Sequence, residues 1–219
     1  MNCDFTEYIK QLPDNYFELA IADPPYGIDI SSRKTIGGGS IKGSSTIFTP
    51  KKWDKKVFSK KYFQELFRVS KNQIIFGGNH FIDRIPCPSS CWIVWDKLNG
   101  NNDFADCELA WTSFKTAVRK IEYRWNGFLQ GNGDPRFREE RIHPTQKPIM
   151  LYKKILSMYA KQGDRIFDPC FGSASSAIAC YELGFDYVGC ELDKEYFDNA
   201  VIRLKESTAQ QTLFDFSEL

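Results

Sequence analysis

The last third of the chain alternates short apolar segments with segments of helical character, and this alternation is the feature that most limits the possible folds. Arg165–Asp168 and Tyr187–Cys190 predict strands, and Ser175–Leu183 and Glu195–Lys205 predict helices. A strand–helix–strand–helix order is typical of a parallel, doubly wound sheet covered by helices. We therefore predict an α/β fold in which ligands bind beside the carboxyl ends of the strands.

The first two thirds of the chain contain further apolar segments that fit the same sheet. The predicted strands there are Phe17–Ala22, Gln73–Phe76, Cys91–Trp95, Glu108–Phe114 and Val118–Trp125, of which the last two could form a hairpin. Apolar residues at helical spacing predict a helix over Phe58–Ser70, and another follows Pro148 to about Lys161. With 219 residues, the chain is long enough for one sizeable domain, predicted over residues 1–208, followed by a C-terminal tail, 209–219.

A short polar segment, Asp23-Pro24-Pro25-Tyr26, directly follows the first predicted strand. Pro25 has no N–H and a fixed φ, so the turn is rigid and the Pro24 carbonyl stays available as an acceptor. Asp23 adds a charged acceptor, and Tyr26 adds a flat ring for stacking. These groups fit an exocyclic amino group on a nucleobase, although Asp-Pro-Pro is also an ordinary way to end a strand in a turn.

A second candidate site lies in the strand–helix turn Asp168-Pro169-Cys170-Phe171-Gly172-Ser173-Ala174-Ser175. Small residues at such a turn let a ligand approach the backbone closely, although they can also serve packing alone. Glu191 ends the next predicted strand, at the spacing from Gly172 at which a carboxylate binds ribose hydroxyls in dinucleotide-binding sheets. The turn has neither the Gly-x-Gly-x-x-Gly pattern of dinucleotide sites nor the Gly-Lys-Ser/Thr of a phosphate-binding P-loop. The expected ligand therefore has a ribose but no pyrophosphate, as S-adenosylmethionine does.

The formal net charge is only +1, but the basic residues are unevenly distributed. Between Arg33 and Lys61 nine basic residues accompany a single acid, Asp54, which leaves a local charge of +8 directly after the tetrapeptide. Residues 27–56 are therefore predicted to be a flexible basic loop that grips phosphate, although a charge run is usually just a solvated face. The predicted nucleic-acid contacts are Lys34, Lys42, Lys51, Lys52, Arg119 and Arg124.

Neither a membrane nor a metal is expected as a partner. No apolar run approaches the ~18 residues that a membrane span needs, and no segment has the pattern of a signal peptide. The seven cysteines are scattered and mostly have apolar neighbours, which indicates free thiols in a reducing compartment rather than a zinc site. A cytoplasmic protein is the expectation.

The order of these motifs resembles that of the amino-group DNA methyltransferases of the permuted, β-type arrangement, in which the catalytic tetrapeptide precedes the cofactor loop. His143-Pro144-Thr145-Gln146-Lys147-Pro148 is similar to the family's cofactor-side motif, and Val188–Asp193 to its ribose-binding segment. One residue departs from the pattern: Ala174 stands where the family usually has glycine, and alanine is disfavoured there if φ is positive.

This resemblance implies a fold, a cofactor and a set of site residues. The implied fold is a Rossmann-like sheet, mostly parallel with one antiparallel edge, and the implied cofactor is S-adenosylmethionine. The implied catalytic residues are Asp23, Pro24, Pro25 and Tyr26. The implied cofactor-binding residues are Asp4, Asp23, Thr145, Gln146, Lys147, Asp168, Phe171, Gly172, Ser173, Ala174, Glu191 and Leu192.

The implied activity is methyl transfer to N6 of an adenine flipped out of double-stranded DNA, because Asp rather than Ser at position 23 is the form associated with adenine. Transfer to cytosine N4 or to RNA, and a non-enzymatic binding subunit with a degenerate site, are the alternatives. Residues 115–142 are the predicted target-recognition insertion, which is small enough that a homodimer could help to read the target. The segment Gln210–Phe214 resembles peptides that bind sliding clamps, or folds back on the domain.

Overall fold

The computed structural model of the protein describes residues 1–33, 47–100, 105–126, 129–134 and 138–215, with side chains as far as residue 209. The described strands are β1 Phe17–Ala22, β2 Ser70–Phe76, β3 Trp92–Asp96, β4 Cys107–Thr112, β5 Arg119–Glu122, β6 Trp125–Asn126, β7 Leu129–Gln130, β8 Arg165–Asp168 and β9 Asp186–Gly189. The described α-helices are α1 Phe5–Ile9, α2 Lys60–Val69, α3 Ile149–Tyr159, α4 Ser175–Glu182 and α5 Lys194–Asp215.

One seven-stranded sheet, in the order β5-β3-β4-β2-β1-β8-β9, forms the centre of the protein. Its neighbouring strands are parallel except at β4, which runs antiparallel to both β2 and β3. The predicted α/β, mostly parallel sheet is confirmed, but the antiparallel strand lies inside the sheet, and the edge strand β5 is parallel to β3. The hairpin expected from the segments around β4 and β5 does not form, because β3 pairs with β4 along its length and separates the two.

Helices cover both faces of the sheet. Alternate residues of β1 point to opposite sides, so Leu19 and Ile21 pack in the cluster that contains α3 and α4. Ala20 and Ala22 pack in the cluster that contains α1 and α2. Burial on both faces explains why the sequence of β1 is almost continuously apolar.

Two helices differ from the sequence prediction. The short helix α1 was not predicted, and it begins where the Asp4 side chain accepts a hydrogen bond from the Thr6 N–H at 2.8 Å. Helix α5 was expected to end near Lys205 but continues to Asp215, since residues 194–215 contain neither glycine nor proline. It therefore extends into the predicted tail. None of the described helices, α5 included, is long and apolar enough to cross a membrane.

Glu18 fastens β1 to both of its neighbours in the sheet. Its Oε2 accepts hydrogen bonds from the backbone N–H of Arg165 at 3.0 Å and from the Arg165 side chain at 3.2 Å, and its Oε1 accepts from Lys71 at 3.0 Å. Arg165 begins β8 and Lys71 lies in β2. Although partial burial acts to raise it, Arg165 and Lys71 lower the pKa of Glu18 to about 2.

We expect Glu18→Gln to lower the free energy of unfolding at neutral pH by about 1–2 kcal/mol, because a part-exposed carboxylate loses two cationic partners. The pKa of Glu18 is depressed in the folded state, from an ordinary value of 4.5 to about 2. Its contribution is therefore complete above the unfolded pKa and is lost as the pH falls through the folded pKa. Urea unfolding of both proteins at neutral pH and at about pH 3 checks this. A difference that does not shrink at acidic pH would contradict it.

Candidate active site

The tetrapeptide Asp23-Pro24-Pro25-Tyr26 begins where β1 ends, at the point where the strand order of the sheet reverses. Ligands bind in the crevice outside the strands at such a switch point. Asp54 fixes the chain that follows the tetrapeptide. Asp54 is only 1% exposed, and its carboxylate accepts hydrogen bonds from the N–H groups of Gly27 and Ile30, both at 2.9 Å. The single acid of the basic stretch is thus a structural anchor, which the charge pattern alone does not reveal.

Asp23 belongs to a buried cluster of charged groups. The Lys147 Nζ lies 2.5 Å from Asp23 Oδ2 and 3.3 Å from Glu108 Oε2, and the Lys97 Nζ lies 2.5 Å from Glu108 Oε1. The Tyr26 hydroxyl donates to Asp23 Oδ1 at 2.9 Å, and it lies 3.4 Å from Glu108 Oε2. Two carboxylates and two ammonium groups therefore balance one another around a single tyrosine hydroxyl.

Burial and pairing act against each other in this cluster. The Lys147 side chain is only 4% exposed; burial acts to lower its pKa, but Asp23 and Glu108 raise it above its ordinary value. Burial raises the pKa of Asp23, and Lys147 opposes that rise. Although burial acts to raise it, Lys147 and Lys97 lower the pKa of Glu108 to about 2. Lys147 is therefore a cation and Glu108 an anion at neutral pH.

Sequence reasoning expected Lys147 at the cofactor, which stays a prediction, and did not single out Glu108. In the structure Lys147 contacts the tetrapeptide, and Glu108 lies in β4 opposite Trp95 of β3. An acid within the otherwise apolar strand Cys107–Thr112 is the signal that could have found it, because a buried charge requires a partner.

A cavity of about 530 Å³ opens over this cluster. The tetrapeptide and Lys147 line part of it, and Trp53, Trp95 and Trp125 contribute flat apolar surfaces. Apolar walls with a few convergent polar groups suit a planar ligand with a polar edge, such as a nucleobase. Another cavity, of about 610 Å³, lies between residues 138–142 and α5 and is not lined by the tetrapeptide.

The ring of Tyr26 is held by two neighbours from the end of β2. It stacks on His80 with ring centroids 4.9 Å apart and planes inclined by 14°. Gly77 has a φ of +65°, and a Cβ at this position would lie 2.3 Å from Tyr26 Cε1. Glycine is therefore required at position 77 both by the backbone conformation and by the closeness of the ring.

The turn after β8 has an unusual backbone, and Glu191 closes it. Gly172 and Ala174 have φ values of +51° and +64°, so Ala174 adopts the conformation that is disfavoured for alanine by about 1–2 kcal/mol. The Glu191 carboxylate accepts from the Gly172 N–H at 3.0 Å. Cys3 donates its N–H to the Glu191 carbonyl at 3.0 Å, which brings Asp4 to the same end of the sheet.

Two side chains hold this turn in place. Both oxygens of buried Asp168 are used within it, accepting from the Cys170 N–H at 2.8 Å and from the Ser176 hydroxyl at 2.5 Å, and burial raises the pKa of Asp168 to about 7. Arg203 of α5 donates to the Ser173 carbonyl at 2.6 Å. Sequence reasoning missed Arg203, because no local pattern links α5 to a turn so far away in the chain.

The other predicted cofactor residues after β8 have different surroundings. Phe171 is buried, with its ring centroid 6.2 Å from that of Tyr187 and 6.1 Å from that of Phe197. Leu192, in contrast, is 73% exposed. Phe171 therefore packs beside α5, whereas Leu192 lies at the surface.

The segment before α3 is held by its own hydrogen bonds. Gln146 is buried; its side-chain oxygen accepts from the Ile142 N–H at 3.0 Å, and its amide nitrogen donates to the Glu140 carbonyl at 2.9 Å. Thr145 lines the cavity over Asp23. Burial, reinforced by Lys147, lowers the pKa of His143 to about 3, so this histidine is neutral.

Lys51 is a predicted phosphate contact that the structure pairs with acids. Its Nζ lies 2.6 Å from Asp193 and 3.0 Å from Glu195, and it also lies over the ring of Tyr196. Its side chain is 15% exposed. In this arrangement Lys51 ties the chain after the tetrapeptide to the end of β9 and the start of α5.

The other predicted nucleic-acid contacts are not equivalent. Lys52 and Arg119 are exposed, and Arg124 is half-buried. Lys34 and Lys42, like the glycine-rich centre of the predicted 27–56 loop, lie outside the described residues. Lys52 and Arg119 are therefore the described candidates with open access to a phosphate backbone.

A family model described as DNA methylase, of the N6/N4 type, matches residues 89–202, just over half of the chain. This chain belongs to the N6/N4 DNA methylase family. The matched range contains Glu108, Lys147, the Gly172 turn and Glu191, whereas the tetrapeptide precedes it. The resemblance predicted from the motif order is thereby confirmed.

Two curated relatives match most of this chain. Type II methyltransferase M.HinfI of Haemophilus influenzae is 25% identical over an alignment of 246 positions, which covers 93% of this chain and 67% of the relative. Type II methyltransferase M.HpaI of Haemophilus parainfluenzae is 25% identical over an alignment of 233 positions, which covers 90% of this chain and 70% of the relative.

Solved structures show the same fold. The M1.HpyAVI–SAM complex superposes with a TM-score of 0.57 at 23% identity, covering 92% of this chain and 97% of the other. A putative DNA modification methylase from Thermus thermophilus, complexed with S-adenosyl-L-methionine, gives 0.57 at 16% identity and 93% coverage of each chain. PvuII DNA methyltransferase, which is cytosine-N4-specific, gives 0.56 at 13% identity, covering 94% and 88%. The predicted methyltransferase-type sheet is confirmed at the level of the fold.

Gly77→Ala is expected to lower the rate of DNA methylation well below that of a control variant with a similar backbone strain, because the new Cβ forces the Tyr26 ring away from Asp23. The control is Gly163→Ala, since Gly163 also has a positive φ, of +89°, but nothing lies within 4 Å of its added Cβ. The left-handed backbone is expected to cost each variant about 1–2 kcal/mol of stability, and Gly77→Ala loses about 1–3 kcal/mol more because its Cβ overpacks against Tyr26. Rates of DNA methylation, measured beside thermal unfolding, separate the two effects. Equal activity in both variants would contradict the contact's importance.

Proposed function

We propose that this DNA methylase transfers a methyl group from S-adenosylmethionine to N6 of adenine in DNA. The observation that carries the proposal is the ionic cluster around Asp23, which places a carboxylate acceptor at the end of β1 and in the wall of a base-sized cavity. Aspartate rather than serine at this position also favours adenine within the resemblance.

The polar groups at the ends of β8 and β9 fit S-adenosylmethionine. Glu191 provides a carboxylate for ribose hydroxyls, and its oxygens retain lone pairs beyond the bonds from the Gly172 and Asp193 N–H groups. The turn between Gly172 and Ala174 has no lysine for phosphate, which suits an adenosine that lacks pyrophosphate. Asp4 lies near Glu191 as a further acceptor. The cofactor supplies an electrophilic methyl group on sulfur.

The residues around the tetrapeptide would act on the amine. The N6 lone pair of adenine is delocalised into the ring, which makes this nitrogen a poor nucleophile. Asp23 and the Pro24 carbonyl accept its N–H bonds, and these bonds strengthen as positive charge develops on nitrogen. Lys147 favours the ionised form of Asp23 in its buried position. Asp23 need not be a strong base, because the methylated ammonium loses its proton readily.

A duplex base reaches this cavity only after it has been flipped out, at a cost of a few kcal/mol. Stacking on aromatic side chains such as Tyr26, at about 1–3 kcal/mol per base, offsets much of that cost. Lys52 and Arg119 are available for the phosphate backbone. A homodimer and a sliding-clamp contact through Gln210–Phe214 stay predictions.

We expect Asp23→Ala to abolish transfer of labelled methyl groups to DNA while leaving S-adenosylmethionine binding largely intact, because the main contact of Asp23 is with the amine, although the resemblance also implies a cofactor contact. Glu191→Ala is the counterpart and should weaken cofactor binding by about 10- to 100-fold, the loss of hydrogen bonds to a charged acceptor. Isothermal titration and transfer assays on the two variants measure both quantities. Parallel loss of binding and transfer in Asp23→Ala would contradict this division of roles.

The methylated base is identified by mass spectrometry of nucleosides from DNA of a methylation-free host that expresses the protein. The proposal expects N6-methyladenine. N4-methylcytosine would establish the second candidate, which the fold likeness to a cytosine-N4 enzyme supports. Unmodified DNA, together with no binding of S-adenosylmethionine, would favour the non-enzymatic binding subunit.

A further inference from the structure

The two groups that occupy Asp23 also lie close to one oxygen of Glu108. Lys147 contacts Asp23 Oδ2 at 2.5 Å and Glu108 Oε2 at 3.3 Å. The Tyr26 hydroxyl donates to Asp23 Oδ1 at 2.9 Å and lies 3.4 Å from the same Glu108 oxygen. Each donor therefore has a near acceptor on Asp23 and a second, more distant acceptor on Glu108.

Glu108 is held where it can serve as this second acceptor. Its other oxygen is paired with Lys97 at 2.5 Å, and its backbone is fixed in β4 opposite Trp95. Its side chain is 22% exposed, and its charge is maintained by the two ammonium groups beside it. The carboxylate thus stays ionised and in place whether or not Lys147 and Tyr26 move toward it.

An incoming amine must share Asp23 with donors that are already bound. The proposed reaction needs an Asp23 oxygen to accept an N–H of the target base, and Lys147 and the Tyr26 hydroxyl already contact one oxygen each. Each oxygen has a second lone pair, but sharing the oxygen weakens the contact already present, and a buried ammonium group that lost its partner would do so at a substantial cost. A second carboxylate within reach removes that cost, because the ammonium exchanges one anion for another.

We propose that Glu108 is a positioning residue for the reaction, the acceptor onto which Lys147 and the Tyr26 hydroxyl move when the target amine binds to Asp23. This inference rests on the proposed function, since it assigns a role in the same site. Glu108 itself touches neither the methyl donor nor the reacting nitrogen. It acts by freeing Asp23 while keeping Lys147 close enough to support the charge of Asp23.

Other ionisable groups also face Asp23, and they define the background of any pH experiment. They are Tyr26 in the tetrapeptide, Glu108 in β4, Lys147 before α3, Tyr152 in α3, Tyr62 in α2, Asp168 at the end of β8 and Cys170 after it. Lys147 is the cation of this set that contacts Asp23, and Glu108 is the anion that contacts Lys147. Substitutions at these two positions should therefore shift the pH dependence in opposite directions.

The test measures methyl transfer to DNA as a function of pH. Glu108→Gln should lower kcat at neutral pH about 10- to 100-fold, since the donors lose a charged acceptor, without changing the affinity for S-adenosylmethionine. At the same time the acid limb of the kcat profile should move to lower pH, because a like charge near Asp23 is gone. Lys147→Met should move the acid limb to higher pH, and Lys147→Arg should return it toward the wild-type position.

Glu182→Gln is the matched control. Glu182 is a part-buried carboxylate, 17% exposed, that pairs with Lys153 away from the cavity. Its substitution removes a comparable ion pair and should leave the pH profile in place. Thermal unfolding of every variant separates loss of folding from loss of rate, and Lys147→Met carries the same test if Glu108→Gln does not fold.

The outcomes distinguish this inference from the proposed function. If the wild-type protein methylates DNA and the acid limb of the kcat profile shifts in opposite directions in the Glu108 and Lys147 variants, the role of Glu108 is supported. If the wild-type protein methylates DNA but the acid limb moves in neither variant, or if Glu108→Gln loses no more kcat than Glu182→Gln, this role is overturned and the proposed function stays intact. Absence of methyl transfer by the wild-type protein overturns both.

Discussion

The ammonium group of Lys147 lies between the carboxylates of Asp23 and Glu108, almost out of contact with water. A buried cation is stable only with close anionic partners, so this contact requires the tetrapeptide, β4 and the segment before α3 to meet at one point. In the proposed reaction the same contact also supports the chemistry, because the Lys147 ammonium favours the ionised form of the buried Asp23 carboxyl group. In this proposal, stability and reactivity depend on the same few atoms.

The sheet topology makes this meeting possible. β1 ends at the reversal of the strand order, and Glu18 fastens it to β2 and β8 on either side. The antiparallel strand β4 lies next to β2 inside the sheet, which brings Glu108 toward the end of β1. On the other side of β1, strand β8 pairs with it in parallel, so the turn after β8 lies beside the tetrapeptide. A methyl donor and an amine acceptor can therefore be held at neighbouring strand ends.

Much of this arrangement could be predicted from the sequence, because local signals carried it. The apolar run of β1 and the strand–helix alternation after β8 indicated the sheet. The sequence comparison with the family pattern also raised a positive φ at Ala174, and this conformation is present. The internal position of β4, the anchoring by Asp54 and the bond from Arg203 to the cofactor turn could not be predicted. They depend on contacts between residues that are distant in the chain. The role of Glu108 could not be predicted either, because its partners Lys97 and Lys147 lie on other segments.

The central claim is that Lys147 holds Asp23 as an ionised acceptor in a buried site. The most direct measurement is a ¹³C NMR titration of the Asp23 carboxyl group, assigned through Asp23→Asn, in the wild-type protein and in Lys147→Met. The account predicts an ionised Asp23 at neutral pH in the wild type and a titration displaced to higher pH in the variant. The same titration midpoint in both proteins, or a protonated Asp23 in the wild type at neutral pH, would contradict it.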